Sequence, residues 1–398
     1  MHILQTEMES RLLGELFASS RKKGKAGLPL MSVTLHNGLI VRNTLDRRTE
    51  TSLNPDEHLL VKEGFIAYNM MRVWQGALGR ADFDGLVSPA YVVLQPTGLA
   101  DSHYAGYLFK SSRMIYLFWA YSYGLTKDRL RLYYNDFARI RVKIPPLPEQ
   151  KKISKILSTW DKAISVTEQL LANSQQQKTA LMQQLLTGKR RSLDFEGKWK
   201  EVTVGATSKC FSGGTPSKGN EEYYNGDIPW VTSGKLNDRF VRSVDKYISE
   251  EGLKKSSAKV VENGCILVAM YGATAGKVAI NEIEGATINQ AVLAMEPKSG
   301  YSNLFLFYLL EREMNKALKF AQGGQPNLNA SIIKGLKIQM PSLSEQQKIA
   351  ETLSTADREI ETLQQKLTHL KQEKKALMQQ LLTGKRRVTI NPSEEMVC

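Results

Sequence analysis

The sequence has few of the residues that build metal centres and disulfide frameworks. Its 398 residues include three cysteines, Cys210, Cys265 and Cys398, far apart and without a CxxC pair, and five scattered histidines. Neither a zinc site nor a disulfide scaffold is indicated. The cysteines are expected to be small buried apolar side chains in a reducing compartment.

Membrane, export and catalytic signals are missing too. No apolar run approaches the roughly 18 residues of a membrane span, and the N-terminus MHILQTEMESRLLGE lacks the apolar core of a signal peptide. We therefore expect a cytoplasmic protein without membrane contact. There is no NPPY-type methyltransferase loop, GxGxxG or HExxH. GATAGK at 272–277 has only three residues between its glycines and is followed by Val278, so it does not match a phosphate-binding loop.

What the chain does contain is a globular composition and excess positive charge. Hydrophobic residues make up 42% and aromatic residues 8%, and the formal net charge is +14. This length suits two or three domains. The charge is compatible with a phosphate-bearing partner.

The second half of the chain repeats a segment of the first. Residues 149–191 and 345–387 are identical at 25 of 43 positions without a gap, and both end in ALMQQLLTGKRR. A repeat of this kind places two copies of one structural unit in a single chain.

Each repeat has the pattern of one long helix. Prolines precede it, and leucine or isoleucine recurs at seven-residue spacing in two series four residues apart, as in Ile153, Leu157 and Leu185. Gly188 and Gly384 are predicted helix ends. Such a helix extends about 57 Å, and the two seams could be buried against each other antiparallel. Two amphipathic helices on separate cores remain the alternative.

The regions before the helices, 1–148 and 192–344, match only faintly. VKEGFIAYNMMRVWQGALGRA at 61–81 and VENGCILVAMYGATAGKVAI at 261–280 both indicate strand, glycine-containing loop and strand. Helical spacing at 304–320 completes an α+β domain, and 108–123 is the predicted counterpart. Similar scaffolds with different loops suggest that the loops select the target.

Together these segments resemble the specificity subunit of type I restriction-modification systems. The resemblance rests first on PPLPEQKKI at 145–153, with its copy at 341–349, and on the QLLTGKRR ends of both repeats. In the second region it rests on SGGTPS, DIPWV, GATAGKVAI and GGQPNLNASI. The first region departs from the pattern, with SSRKKGKAG at 19–27 and LTKDRLRLYYNDF at 125–137.

The resemblance implies an architecture. The expected fold is α+β, with two α/β target-recognition domains joined by two long antiparallel coiled-coil helices in an internal pseudo-twofold repeat. The expected divisions are a first target-recognition domain at 1–148, a central spacer helix at 149–191, a second target-recognition domain at 192–344, a C-terminal spacer helix at 345–387 and a tail at 388–398.

The resemblance also implies a function and partners. Each domain would read half of a split site in double-stranded DNA, and the helices would set the gap and dock type I methyltransferase subunits, two per complex. Restriction subunits would complete the assembly. No cofactor is expected on this chain; S-adenosylmethionine, ATP and Mg²⁺ would be used by the partners.

Candidate DNA contacts are chosen by side-chain chemistry, since Arg suits guanine, Asn and Gln suit adenine, and Lys suits phosphate. In the second region they are Lys235, Asn237, Arg239, Lys277, Asn289, Gln290, Gln325 and Asn327. In the first they are Lys22, Lys23, Lys25, Arg42, Arg47, Arg48, Arg72, Gln75 and Arg80. The alternatives are solvated surface charge and amides that satisfy turn backbone.

Two other functions stay open from the sequence alone. One is a coiled-coil adaptor that binds DNA without sequence specificity, and the other is a self-contained DNA methyltransferase or nuclease. Equal binding to all duplexes would favour the first. Methyl transfer by the purified chain would favour the second.

Overall fold

The computed structural model describes residues 7–44, 51–126, 129–320 and 328–390. The chain divides into two compact units, residues 1–168 with 366–398, and residues 169–365. Within the described residues, none of the helices combines the length and apolar character needed to cross a membrane.

The first unit is a mixed α/β domain. Its strands are β1 Glu9–Leu12, β2 Phe17–Ser20, β3 Met31–Thr34, β4 Gly38–Val41, β5 Leu59–Val61, β6 Ile66–Asn69, β7 Leu78–Arg80, β8 Gly85–Val87, β9 Tyr91–Pro96 and β10 Arg141–Ile144. Its short helices are α1 Leu13–Leu16, α2 Ser102–Phe109, α3 Ser112–Ala120 and α4 Tyr134–Ala138, and α5 Leu147–Leu185 follows.

The core of the first unit lies between a sheet and these helices. The antiparallel sheet has the strand order β2-β9-β6-β7, and β1 pairs with β10, β3 with β4 and β5 with β8. Phe17, Phe109, Phe118 and Phe137 are completely or almost completely buried in one apolar cluster with Tyr68. Alternating apolar residues on the strands supply the other wall.

The second unit repeats this plan with additions. Its strands are β11 Lys200–Thr203, β12 Ser208–Ser212, β13 Ile228–Val231, β14 Phe240–Val241, β15 Tyr247–Ile248, β16 Lys259–Val260, β17 Ile266–Ala269, β18 Val278–Asn281, β19 Thr287–Ile288, β20 Val292–Pro297 and β21 Lys337–Met340. Its helices are α6 Val204–Thr207, α7 Glu250–Lys254, α8 Asn303–Phe320, α9 Ala330–Gly335 and α10 Leu343–Leu382.

The sheets show which part of the plan is shared. The second unit has the order β12-β20-β17-β18-β14, whose first four strands correspond to β2-β9-β6-β7. The pair β11-β21 corresponds to β1-β10. In the further sheet β15-β13-β19-β16, the antiparallel pair β16-β19 corresponds to β5-β8. The parallel contact of β13 with β19 corresponds to the isolated bridge between Leu30 and Leu86. The expectation of one scaffold with different loops is therefore met.

The helix of the second unit is found where the sequence predicted it, but its counterpart is divided. Residues 304–320 lie in the single helix α8, whereas 108–123 fall mostly in α2 and α3. The break comes at Ser111, whose side chain accepts a hydrogen bond from Met114 N and so caps α3.

Both long helices end two or three residues before the predicted glycines, which form the turns that follow them. Gly188 has φ of 67° and Gly384 has φ of 72°, values that a residue with a side chain rarely adopts. The following chain turns back, with Arg190 N donating to Gln184 O at 3.2 Å and Arg386 N donating to Gln380 O at 3.1 Å. These bonds satisfy carbonyls that a helix end leaves open.

Candidate nucleic-acid interface

The second unit gathers several candidate residues at one sheet edge. β13 and β19 are parallel, so their carboxyl ends meet there. Asn289 N donates to Val231 O at 3.1 Å, and Gly214 N donates to Ile288 O at 3.1 Å. Three chain segments, 213–215, 232–237 and 289–291, therefore begin within hydrogen-bond reach of one another.

Gln290 is held in place at this edge. The Thr215 hydroxyl donates to Gln290 Oε1, while Gln290 is exposed. Its amide nitrogen donates to none of the described residues, so it is free to reach a base edge. The Asn289 side chain instead accepts from Ala291 N at 3.1 Å, which is a turn-forming role.

The turn after β13 presents Lys235 and Asn237. Lys235 lies 3.1 Å from Asp238 and 3.9 Å from Asp245, and the hydrogen bond with Asp238 raises the pKa of Lys235. Asn237 is exposed and donates to Gly234 O at 3.1 Å. Lys235 is thus partly neutralised by its own turn, whereas the side-chain carbonyl of Asn237 accepts no hydrogen bond from the described residues.

The hairpin loop between β17 and β18 adjoins this edge. Met270 N donates to Ala291 O at 2.8 Å, and Leu328 N donates to Met270 O at 2.7 Å. Lys277 is exposed, and its ammonium pairs with no group in the described part of the chain. The predicted contacts Gln325 and Asn327 lie outside the described residues.

Arg239 has a different role from the predicted one. Its guanidinium donates to Glu311 at 2.6 and 2.8 Å and to Asp357 at 2.8 Å, and it lies 5.0 Å from the centre of the Phe307 ring. Because these donors are engaged by α8 and α10, Arg239 fastens the chain after the Lys235 turn to the helices. The predicted contact with a base would compete with these intramolecular bonds.

Asp357 is the shared acceptor of the contacts that hold Arg239 to the helices. It also accepts from Tyr308 at 2.7 Å and pairs with Lys178 at 2.6 Å. Burial alone would raise the pKa of Asp357, but the hydrogen bonds from Lys178, Arg239 and Tyr308 outweigh burial and lower it.

The first unit presents a comparable but more open set. Lys22, Lys23 and Lys25 are exposed beside β5, with Leu60 N donating to Lys22 O at 2.8 Å. Arg72 and Gln75 are exposed in the β6-β7 hairpin loop. None of these five side chains has a hydrogen-bond or ion-pair partner among the residues that the structure describes.

Two other candidates of the first unit are engaged locally. Arg80 donates to Asp82 at 2.7 Å and to Ser102 at 3.2 Å, which ties β7 to α2. Arg42 donates to Ser32 at 3.2 Å. Arg47 and Arg48 lie outside the described residues.

Inside each unit, parts of the two repeats run in opposite directions. In the first, Glu149 bonds Arg387 at 2.8 Å, Asp161 bonds Lys374, and Glu168 pairs with Lys371 at 2.7 Å. In the second, Ser174 bonds Glu359 at 3.0 Å, Lys178 pairs with Asp357, and Arg191 bonds Glu345 at 2.8 Å. As the residue number in the first repeat rises, the residue number of its partner in the second repeat falls, so the paired segments are antiparallel within each unit.

Two of the three contacts in each unit are repeated with their chemistry intact. Adding 196 to Glu149 and Asp161 gives Glu345 and Asp357, and subtracting 196 from Arg387 and Lys374 gives Arg191 and Lys178. A tyrosine accompanies each aspartate, since Tyr107 donates to Asp161 at 2.6 Å. Gln150 and Gln346 each accept a backbone N–H at 2.9 Å, from Asp101 and Ser302. Each domain is therefore held to its helices by the same contacts.

Exposed aromatic residues on the first unit were not predicted as site residues. Tyr116 is 62%, Trp119 49% and Tyr123 57% exposed, and Tyr123 stacks on Tyr133 with 5.5 Å between ring centres. The signal was the aromatic-rich run IYLFWAYSY at 115–123. This run lies in the segment 108–123, which was predicted only as the counterpart of the helix at 304–320.

Comparison with known proteins decides the family. The family model described as the type I restriction modification DNA specificity domain matches residues 8–173 and 196–372. The chain belongs to this family. The two matched segments fall on the two halves of the repeat, so the chain carries two such domains.

Two curated relatives agree with this assignment. The chain is 28% identical over 243 residues to the specificity subunit of type I restriction enzyme EcoR124I/EcoR124II from Escherichia coli, covering 58% of this chain and 59% of that protein. It is 31% identical over 281 residues to the MjaVIII specificity subunit from Methanocaldococcus jannaschii, covering 63% of each. These matches span about three fifths of the relatives' length.

The likeness of fold extends further than the sequence match. The S subunit of a type I restriction-modification system from M. genitalium superimposes with a TM-score of 0.59 at 17% identity, covering 96% of this chain and 98% of that one. This superposition shows a shared fold, and the match of the family model confirms the resemblance to specificity subunits. Specificity subunits are the non-catalytic components of type I restriction-modification systems.

Proposed function

We propose that this chain is the non-catalytic subunit that reads a bipartite DNA site for a type I restriction-modification complex. One observation carries the proposal: each of the two units joins a mixed α/β domain to its own stretch of α5 and α10 by equivalent hydrogen bonds, Tyr107 to Asp161 in the first unit and Tyr308 to Asp357 in the second. Equivalent attachment would present two different domains to one duplex in equivalent ways.

The long helices would act as an antiparallel coiled-coil spacer. Opposite chain directions within each unit support this arrangement, and so does the burial of polar residues near the middle of α5. Thr167 is 4% and Ser174 9% exposed. Polar groups in such a seam disfavour other registers. A helix of 39 residues extends about 58 Å, enough to separate two half-sites by about one duplex turn.

The loops at the sheet edges would read the DNA. Free cations such as Lys25, Arg72 and Lys277 suit phosphates, while Gln290 and Asn237 suit base edges. Affinity would come mainly from the phosphate contacts and fall with salt. Since the loop sequences of the two units differ, as in SSRKKGKAG at 19–27 and SGGTPS at 212–217, the two half-sites should differ.

Catalysis would belong to partners. Two methyltransferase subunits would dock on the repeated helix surfaces, and restriction subunits would join them. Those partners would use S-adenosylmethionine, ATP and Mg²⁺. The non-specific adaptor is disfavoured, because the family that the chain belongs to is defined by specificity domains.

The spacer can be tested by adding seven residues to α5 and seven to α10 at equivalent positions. Each insertion lengthens a helix by about 10 Å, or about 3 base pairs of duplex. Sites would be selected from randomised duplexes by the assembled complex. We expect both half-sites unchanged with a gap longer by about 3 base pairs. An unchanged gap would refute the spacer, and insertion into α5 alone, which mismatches the repeats, is the control that should abolish assembly.

A further inference from the structure

A cavity of about 420 Å³ opens in the first unit between the start of α3 and the last turns of α10. Its apolar part includes Leu108, Val142, Met378 and Leu382. Its charged part consists of Lys110, Arg113, Lys143, Lys371, Lys374 and Lys375. Of the described residues that line it, none is an aspartate or glutamate.

Most of this positive charge is not neutralised by the protein. Lys371 pairs with Glu168 at 2.7 Å and Lys374 with Asp161. The other four cations of the cavity form no ion pair or hydrogen bond through their side chains with any described residue. Burial, and then the nearby charge of Lys374, lowers the pKa of Lys110. These four cations are exposed at the rim of the cavity and have no ion-pair partner among the described residues.

The second unit does not share this feature. Tyr107 and Tyr308 hold equivalent places, since each bonds the aspartate of its repeat. Counting three residues on places Glu311 where the first unit has Lys110. Arg239 donates to Glu311, so at this position the second unit contains both the cation and the carboxylate that neutralises it. The cluster of unpaired cations at this cavity is therefore particular to the first unit and is not explained by the duplication.

We propose that this cavity binds a small amphiphilic anion, a carboxylate or phosphate carried on an apolar body. The apolar wall removes the body from water, at about 25 cal/mol per Å², and the four cations take the charged group. A DNA phosphate would leave the apolar wall without a partner. The volume lies in the range of small-molecule sites, which are about 300–1,000 Å³.

Binding can be measured on the full chain with three probes by calorimetry. Decanoate has both the charge and the apolar body, decanol has the body alone, and inorganic phosphate has the charge alone. We expect one decanoate per chain, bound at least tenfold more tightly than either of the other probes. Decanol binding as tight as decanoate, or no saturable decanoate binding, would overturn the proposal.

Two charge-matched variants locate the site. Lys110→Met with Lys375→Gln removes two of the unpaired cations of the cavity, and Lys22→Met with Lys25→Gln removes two exposed cations elsewhere in the same unit. We expect the first pair to weaken decanoate binding at least tenfold and the second to leave it unchanged. Equal binding by both would refute the location.

The cavity variant should remain folded, because it removes unpaired like charges. Its urea midpoint without ligand is expected to equal or exceed that of the wild type. If the double variant should unfold, decanoate binding can be compared between the single variants Lys375→Gln, at the cavity, and Lys25→Gln, elsewhere in the same unit. The proposal does not depend on DNA reading, so its failure would leave the proposed function intact.

Discussion

The pair Asp161 and Asp357 offers a matched test of how each domain is fastened to its helices. The two are the same repeat position, yet the Asp357 side chain is 15% exposed and the Asp161 side chain 47%. Asp357 has Lys178, Arg239 and Tyr308 as partners. Replacing each aspartate with asparagine keeps its size and removes its charge.

The expected losses differ because burial differs. Asp357→Asn leaves Lys178, whose side chain is 14% exposed, facing a neutral group, and breaking such a pair costs about 3 kcal/mol. Asp161→Asn removes a carboxylate that is 47% exposed and that lacks the arginine partner of Asp357, and it costs about 1 kcal/mol.

Hydrogen exchange followed by mass spectrometry separates the two effects. Asp357→Asn should speed exchange in α8 and in residues 343–365 by about 100-fold, with the first unit unchanged. Asp161→Asn should speed exchange about fivefold in the first unit alone. Equal losses in the two variants, or acceleration throughout the chain from either, would refute this reasoning.

Three further outcomes follow from the interface. Lys277→Ala should weaken binding of the complex to all duplexes alike and lower the slope of log affinity against log salt by about 1; an unchanged slope would remove Lys277 from the phosphate contacts. Gln290→Ala should relax selection at one base pair by about 1–3 kcal/mol, measured by site selection, and a change at every position would contradict a direct contact. The lowered pKa of Asp357 stabilises the second unit above the carboxyl's ordinary pKa, and this contribution is lost as pH falls through the lowered value. The acid-side fall in urea midpoint should therefore be shallower in Asp357→Asn.

Patterns that depend on local chemistry could be predicted from the sequence. The seven-residue spacing located α5 and α10, the positive-φ glycines marked their ends, and the 304–320 spacing located α8. Each depends on contacts within a few turns. The split of α2 from α3 was not predicted, because a serine cap inside an apolar run is a weak signal.

The site was less predictable, because side-chain partners come from distant parts of the chain. Arg239 lies in a polar turn and was interpreted as a DNA contact, but its partners Glu311 and Asp357 are 72 and 118 residues away. The cationic cavity joins α3 to residues of α10 more than 250 positions later. Only the packed structure separates paired from unpaired charge.

If the two domains read two separated half-sites for partner methyltransferases, as proposed, the methylated sites of a genome will be split. Methylated bases should be mapped by sequencing the genomes of cells that carry the methyltransferase subunits with and without this chain. The account predicts a split motif, two different half-sites around a gap of fixed length, methylated only when the chain is present. A continuous motif, or methylation that persists unchanged without the chain, would contradict it.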